Sequence, residues 1–314
     1  MKNKIIYVSG IVNLETIVNV DAFPIYYNPV EYPFFGINST VSGSAYNIAK
    51  ALKKLGNNDV FLSAHVGKDM VGDIVINEIE KNKIDTSYIK YSLDYTPNSV
   101  VFVDRDNNVK NYSDLKDVQE ISQEITNEIG KIKRSDLIVL SNTNFNRPLL
   151  KKAKELGKKV ATDVHIIGTI DDEFNKDFMK YSDILFLSKK GLSNINYEDF
   201  LLEIYNKYHN EIIVLGEGRE GAMILSARDR VIYHIDAVTT RDIVNTVGSR
   251  DALLASFVHF YLRRSTALNA LELAETFTSY KLGESGGANG FLDAPSVRKL
   301  AKTLDFDVYK IKEF

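Results

Sequence analysis

Cysteine is absent from the 314 residues. Disulfides, thiol catalysis and thiolate-bound zinc or iron–sulfur centres are therefore excluded, and the composition fits a reducing cytoplasm. Proline is scarce, with six in the whole chain, and no low-complexity linker or internal repeat divides it. No stretch approaches the roughly 18 apolar residues that a membrane-spanning helix needs. The apolar run after Met1-Lys2-Asn3-Lys4 is too short for a secretory leader. A cytoplasmic protein without membrane contacts is the expectation. Neither charge dominates: 39 Lys plus Arg stand against 42 Asp plus Glu, a net charge of −3. Nucleic-acid binders usually carry a basic excess or stripe, so no nucleic-acid partner is expected.

What is present is an alternation. Short apolar runs at 5–8, 60–63, 137–140, 160–162, 184–187 and 212–215 read as strands. Helical periodicity lies between and beside them, near 44–55, 70–82, 118–131, 147–156, 173–181 and 197–208. Such alternation predicts an α/β fold, a parallel sheet covered by helices on both faces. Two stretches break the pattern, about 12–40 and 95–115. In the second, Asn107-Asn108 between apolar runs reads as a hairpin turn.

The octapeptide Asn245-Thr246-Val247-Gly248-Ser249-Arg250-Asp251-Ala252 opens an apolar helix. A Gly-bearing turn at a helix start aims free backbone N–H groups at one point, where an anion can be held. Asp251, in the first turn, can reach a hydroxyl brought up to that anion, as phosphoryl transfer to an alcohol requires. Helix capping by Thr246, Ser249 and Asp251 would explain the same residues without chemistry. A second small-residue turn, Val41-Ser42-Gly43-Ser44-Ala45-Tyr46-Asn47-Ile48-Ala49, also runs into a helix, which continues to Leu55-Gly56.

Together these segments resemble the ribokinase-like (PfkB-type) carbohydrate and nucleoside kinases. The family's amino-terminal signature is G-G-x-G-x-N-x-A with L-G about seven residues on. Gly43, Asn47, Ala49, Leu55 and Gly56 fit it, while Ser42 and Ala45 replace glycines. Its carboxy-terminal signature is D-T-x-G-A-G-D-A. Thr246, Gly248, Asp251 and Ala252 fit, while Asn245, Ser249 and Arg250 depart. Val12-Asn13-Leu14-Glu15 is similar to the first strand and its exit, and Val66-Gly67-Lys68-Asp69-Met70-Val71-Gly72 to V-G-x-D-x-x-G. Ile84-Asp85-Thr86 and Thr96-Pro97 follow at the family's spacing. Gly218-Arg219-Glu220-Gly221-Ala222 resembles the turn under the nucleotide, and Gly286-Gly287-Ala288 the late loop on the adenine side.

The resemblance implies a three-layer ribokinase-like fold, with a mainly parallel central sheet flanked by helices and a small β-sheet lid. It implies one domain over 1–314, with lid segments at about 12–40 and 95–115. The implied activity is ATP-dependent phosphorylation of a hydroxymethyl group of a small sugar. Asp251 matches the catalytic base, and the backbone N–H groups of Gly248, Ser249, Arg250 and Asp251 the anion hole. Asn13, Glu15, Gly43 and Asn47 match substrate positions, with Glu15 one methylene longer than the usual Asp. Ser188, Gly216, Gly218, Gly221, Thr246, Gly248 and Gly287 match the nucleotide site. At strand ends of an open sheet, Asn13, Asp163 and Gly216 would face the ligand. Mg²⁺ is implied only indirectly, through phosphates and water, with no protein metal ligand. A homodimer through the lid is implied as well.

Departures from the pattern open other readings. Where many members carry N-x-x-E for the magnesium–phosphate water network, this chain has Ser188-Lys189-Lys190-Gly191. Lys189 and Lys190 read as solvated loop lysines. Arg250 stands where the family has glycine. If that residue needs positive φ it is strained, and obstruction of the anion hole with partial accommodation is expected. Asn245 replaces the Asp that helps hold a monovalent-cation loop in some members, which argues against potassium activation. The same Asn occurs in pseudouridine kinases, so pseudouridine or another nucleoside is the alternative acceptor. A degenerate member that binds ligand without turnover is a further alternative, favoured by Arg250 and the missing motif and opposed by the intact Asp251. Asp163-Val164-His165 reads as packing, since His65, His209, His234 and His259 are scattered. Gly216-Glu217-Gly218-Arg219-Glu220-Gly221 fits G-x-G-x-x-G, but the following Ala222-Met223-Ile224-Leu225 reads as a strand, which excludes a dinucleotide fingerprint.

Overall fold

The computed structural model describes residues 4–122, 125–193 and 195–314. In chain order the first half contains β1 (Ile6–Ser9), β2 (Asn13–Asn19), β3 (Ile37–Ser42), α1 (Ser44–Lys54), β4 (Val60–Gly67), α2 (Met70–Lys81), β5 (Asp85–Leu93), β6 (Asn98–Val103) and β7 (Val109–Asp114). After it come α3 (Ile129–Arg134), β8 (Leu137–Leu140), α4 (Arg147–Glu155), β9 (Lys159–Ile166), α5 (Lys176–Tyr181), β10 (Ile184–Ser188) and α6 (Tyr197–Tyr208). The chain closes with β11 (Ile212–Gly218), β12 (Gly221–Ser226), β13 (Val231–Ile235), α7 (Ser249–Tyr261), α8 (Ala267–Lys281), α9 (Ala294–Ala301) and β14 (Val308–Glu313).

The large sheet has the order β14-β13-β12-β11-β10-β9-β8-β1-β4-β5. From β5 to β11 the neighbours are parallel, and β12, β13 and β14 add antiparallel at one edge. Alternate residues of one strand face opposite helical layers, as a period of two demands. In β10, Ile184 and Phe186 join the core under α1, α7 and α8, while Leu185 and Leu187 join the core under α4, α5 and α6. Burial on both faces explains why these strands read as continuous apolar runs.

A separate four-stranded sheet has the order β3-β2-β6-β7. Ile17, Val101 and Val103 form its small core, and Val247 packs against them. The β6–β7 hairpin turns at Asp104, whose carboxylate accepts the N–H groups of Asp106 and Asn108, with Asn107 at φ 61°. The Asn107-Asn108 turn is thus present. Asp69 caps α2 through the Gly72 N–H and also accepts the Thr96 hydroxyl at 2.6 Å. The V-G-x-D-x-x-G segment and Thr96-Pro97 are therefore two halves of one joint.

Three expectations change. The helix at 118–131 is not formed: only a short 3-10 turn (Lys116–Gln119) and α3 occur in that region, and Gln123 and Glu124 lie outside the described residues. Val118 and Ile121 pack with Leu93 and Phe145, whereas Ile125 and Ile132 pack in the core under α4 to α6. One straight helix cannot reach both. Asn13-Leu14-Glu15 begins β2 of the small sheet, after the first strand has ended at Ser9. Asp163 and Gly216 lie within β9 and β11, which run past the limits set by the apolar runs.

Candidate active site

The site forms where the N-termini of α1 and α7 meet. Gly248 has φ 73°, and a Cβ there would come within 2.4 Å of the Gly287 carbonyl oxygen. Only glycine tolerates that conformation at so close an approach. No side chain caps α7, so capping by Thr246, Ser249 and Asp251 does not account for the octapeptide. The Ser249 N–H is engaged by the Thr246 carbonyl at 3.2 Å. Gly43 precedes α1 at φ 102°, with room for a Cβ closed off by the Ile11 carbonyl at 2.5 Å.

A connected chain of polar contacts links the two helices to the small sheet. Asn47 donates from Nδ2 to Asp251 Oδ2 at 2.8 Å. The Ser42 hydroxyl donates to Asn47 Oδ1 at 3.3 Å. Glu15, buried on β2, accepts the Gly287 N–H at 3.2 Å. Asn13, Glu15 and Ile17 share one face of β2 because side chains alternate along a strand. Asn13 Nδ2 donates to Ser99 Oγ at 2.8 Å, while its buried Oδ1 has no hydrogen-bond partner among the described residues.

Burial pushes the Asp251 carboxyl up to about 6, against the opposing pull of the Asn47 amide and the nearby His165 and Arg250. A carboxylate raised toward neutrality is a better proton acceptor than an exposed one. Burial also raises the Glu15 carboxyl, countered by the Gly287 N–H, the Ser42 hydroxyl and Lys281.

Arg250 has a helical conformation in the first turn of α7, and positive φ falls on Gly248 instead. Its Nε lies 3.8 Å from Asp163 Oδ2. The expected backbone strain is therefore absent. Asp163 Oδ1 accepts the His165 N–H at 2.7 Å, and His165 holds φ 63°. Both residues line a small cleft with Ser44, Ser141 and Asp251. Among the described residues no cluster of His, Asp or Glu could hold a metal ion.

The expected nucleotide residues divide. Ser188 and Gly216 are paired neighbours on β10 and β11, and Gly218 and Gly221 flank the β11–β12 turn. A Cβ at Gly218 would meet nothing within 4 Å, and one at Gly216 only the Leu187 carbonyl at 3.7 Å, which leaves open backbone surface. Arg219 donates to the Asp106 carbonyl, tying this turn to the small sheet. Lys189 is paired with Glu220 and is not simply solvated. Thr246 and Gly248 lie at the start of α7. Gly287 lies against Gly248, Ser42, Asn47 and Glu15, beside the expected acceptor residues.

A sequence model described as pfkB family carbohydrate kinase matches residues 4–294. The chain belongs to the pfkB family of carbohydrate kinases. Among relatives of this pfkB-family kinase is a 5-dehydro-2-deoxygluconokinase of Mesomycoplasma hyopneumoniae (strain 232), 25% identical over 92% of this chain and 90% of that protein. A microbiome-derived acarbose kinase has the same fold, with TM-score 0.83 and 21% identity over 96% of this chain and all (100%) of the other. Arabidopsis thaliana ribokinase, solved with ribose and ATP, superposes with TM-score 0.77 at 16% identity over 96% of this chain and 99% of its own. No helix among the described residues is long and apolar enough to cross a membrane.

Three residues beside the site left little or no trace in the sequence of this pfkB-family kinase. Asp163 and His165 carried a faint signal, two polar residues at a strand end. Lys281 carried none. It looks like any lysine closing a helix, yet it is fully buried and its ammonium donates to the Val247 carbonyl beside Gly248.

Proposed function

We propose that this kinase transfers the γ-phosphoryl group of ATP to a hydroxymethyl group of a small sugar. The observation that carries the reading is the Asn47–Asp251 contact at the paired helix starts, closed over by Glu15 and Gly287. Asp251 would take the acceptor proton as its oxygen attacks phosphorus. Backbone N–H groups at the start of α7 would stabilise charge on the transferred group. Asn13, Glu15, Gly43 and Asn47 would hold acceptor hydroxyls, with Asn13 Oδ1, unpartnered among the described residues, free to accept one.

The open backbone at Gly216 and Gly218 fits a nucleotide lying over β10 and β11, near Ser188 and Gly221. Mg²⁺, carried on the nucleotide by phosphates and water, would supply charge neutralisation there. Residues 1–314 would act as one domain in the cytoplasm, with the small sheet as lid and as the contact surface of a homodimer.

The acceptor class follows from charge. Glu15 and Asp251 would repel a phosphate placed near them, so a neutral sugar is preferred over a sugar phosphate. Relatives named 5-dehydro-2-deoxygluconokinase and ribokinase support a sugar over a nucleoside. The test is ADP release with pentoses, hexoses, 5-dehydro-2-deoxygluconate, phosphosugars and pseudouridine. Turnover of a phosphate-free sugar or sugar acid is expected to exceed that of the phosphosugars and of pseudouridine. Turnover of pseudouridine far above every sugar would reverse the order, and none with any acceptor would leave a ligand-binding protein. Asp251→Asn should lower kcat by roughly 10²–10⁴ with little change in KM, because the amide cannot accept the proton. Near-normal kcat would remove Asp251 from the base role.

A further inference from the structure

We propose that Lys281 is a positioning residue, a resident cation that balances the two carboxylates of the site and holds the loop feeding α7. The proposal rests on the kinase reading above. Lys281 is the last residue of α8 and has no exposed surface. A lysine is almost never so buried without a partner. Its ammonium donates to the Val247 carbonyl, one residue before the left-handed Gly248. The charged groups facing it come from separate elements: Glu15 from β2, Asp251 from α7 and Arg241 from the segment between β13 and α7.

Three arguments separate this role from simple packing. An apolar side chain would fill the volume without desolvating a charge. The partner is a loop carbonyl, so the bond sets where the following N–H groups point. Glu15 and Asp251 bring two carboxylates into one site, and the Lys281 charge offsets their repulsion of one another. The same loop is zipped to the end of α8 elsewhere: Val244 N–H donates to the Leu282 carbonyl at 2.8 Å, and Asn245 Nδ2 to Ser285 Oγ at 3.3 Å. Asn245 Oδ1 accepts the Val247 N–H at 3.1 Å. Val247 is thus held through both its N–H and its carbonyl, and the ammonium provides the charged contact.

The experiment compares wild type with Lys281→Met and Lys281→Arg. It reads kcat, KM, melting temperature and the pH dependence of kcat, with and without ammonium chloride against tetramethylammonium chloride. Lys281→Met should keep its melting temperature and the acceptor KM. Its kcat should fall about 100-fold, the scale of one lost electrostatic contact in the transition state, and small ammonium should restore part of it. Burial lowers the Lys281 ammonium to about 8, so wild-type kcat should decline above that pH, and Lys281→Arg should move the decline upward. In the apo proteins, carboxyl-carbon NMR should show Asp251 titrating higher in Lys281→Met than in wild type. That readout needs no turnover, so it stands if the acceptor is misjudged. An Asp251 titration unmoved by Lys281→Met overturns the proposal. So does an unchanged kcat, or a loss of kcat that follows melting and ignores small ammonium. If Lys281→Met does not fold, an unshifted basic limb in Lys281→Arg overturns it equally.

Discussion

Asp251 and Arg250 sit side by side in the chain, and Asp163 acts on both. Asp251 requires deprotonation to work as a base, and burial holds its carboxyl near 6. The rate should therefore rise with pH through about 6, and Asp251→Asn should abolish that limb along with most of kcat. The Arg250 guanidinium lies 3.8 Å from Asp163. Arg250→Gly leaves the buried Asp163 oxygen without its cation. More negative charge beside Asp251 favours its protonated form. The acid limb should shift to higher pH, and activity at pH 6 should fall relative to that at pH 8. A uniform gain in kcat at every pH would make obstruction the explanation.

Helix α7 meets α1 at both ends, and the far end is a stability device. Asn57 donates to the Leu52 carbonyl and contacts His259 Nδ1 at 2.8 Å, while Arg263 donates to Asn57 Oδ1 at 2.7 Å. Burial, with Arg263 and Arg298 nearby, pushes His259 down to about 3. Its folded value lies below its unfolded value near 6.5, so the unfolded chain binds a proton that the fold refuses. Stability is then lost as pH falls from about 6.5 toward 3, at up to about 1.4 kcal/mol per pH unit. His259→Leu should remove this component. Urea unfolding at pH 7.5 and pH 5 should show wild type losing about 2 kcal/mol more than the variant. Equal losses would mean that His259 takes up its proton as readily in the fold as in the unfolded chain.

Across the whole molecule, the small sheet leaves most apolar surface uncovered. Between β2 and β3, Tyr27 is 93%, Phe34 86% and Phe35 98% exposed, and Tyr26 and Tyr32 stand out beside them. β3 and β7 are unpaired edges of that sheet, and an open edge is a template for another chain. A second copy of this kinase covering the aromatic loop is the expected arrangement. Light scattering after gel filtration should give a dimer, and Phe34→Glu with Phe35→Glu should give a monomer with an unchanged melting profile of the large sheet. A monomeric wild type at micromolar concentration would leave the loop to another role.

Alternating apolar runs determined the layered architecture, because a strand buried on both faces and an amphipathic helix each leave a local period. Gly43 and Gly248 were legible for a similar reason: a turn that only glycine tolerates writes itself into the sequence. Asn47 and Asp251 could be named from the signatures, but their 2.8 Å contact joins residues 204 positions apart. Tertiary structure alone decided the rest. It broke the 118–131 periodicity between two cores, carried Gly287 to Glu15 and gave Arg250 its partner in Asp163. It also buried Lys281 against the Val247 carbonyl. Local sequence cannot distinguish a lysine closing a helix in water from one closing it inside the fold, because burial and charge pairing are properties of distant segments brought together.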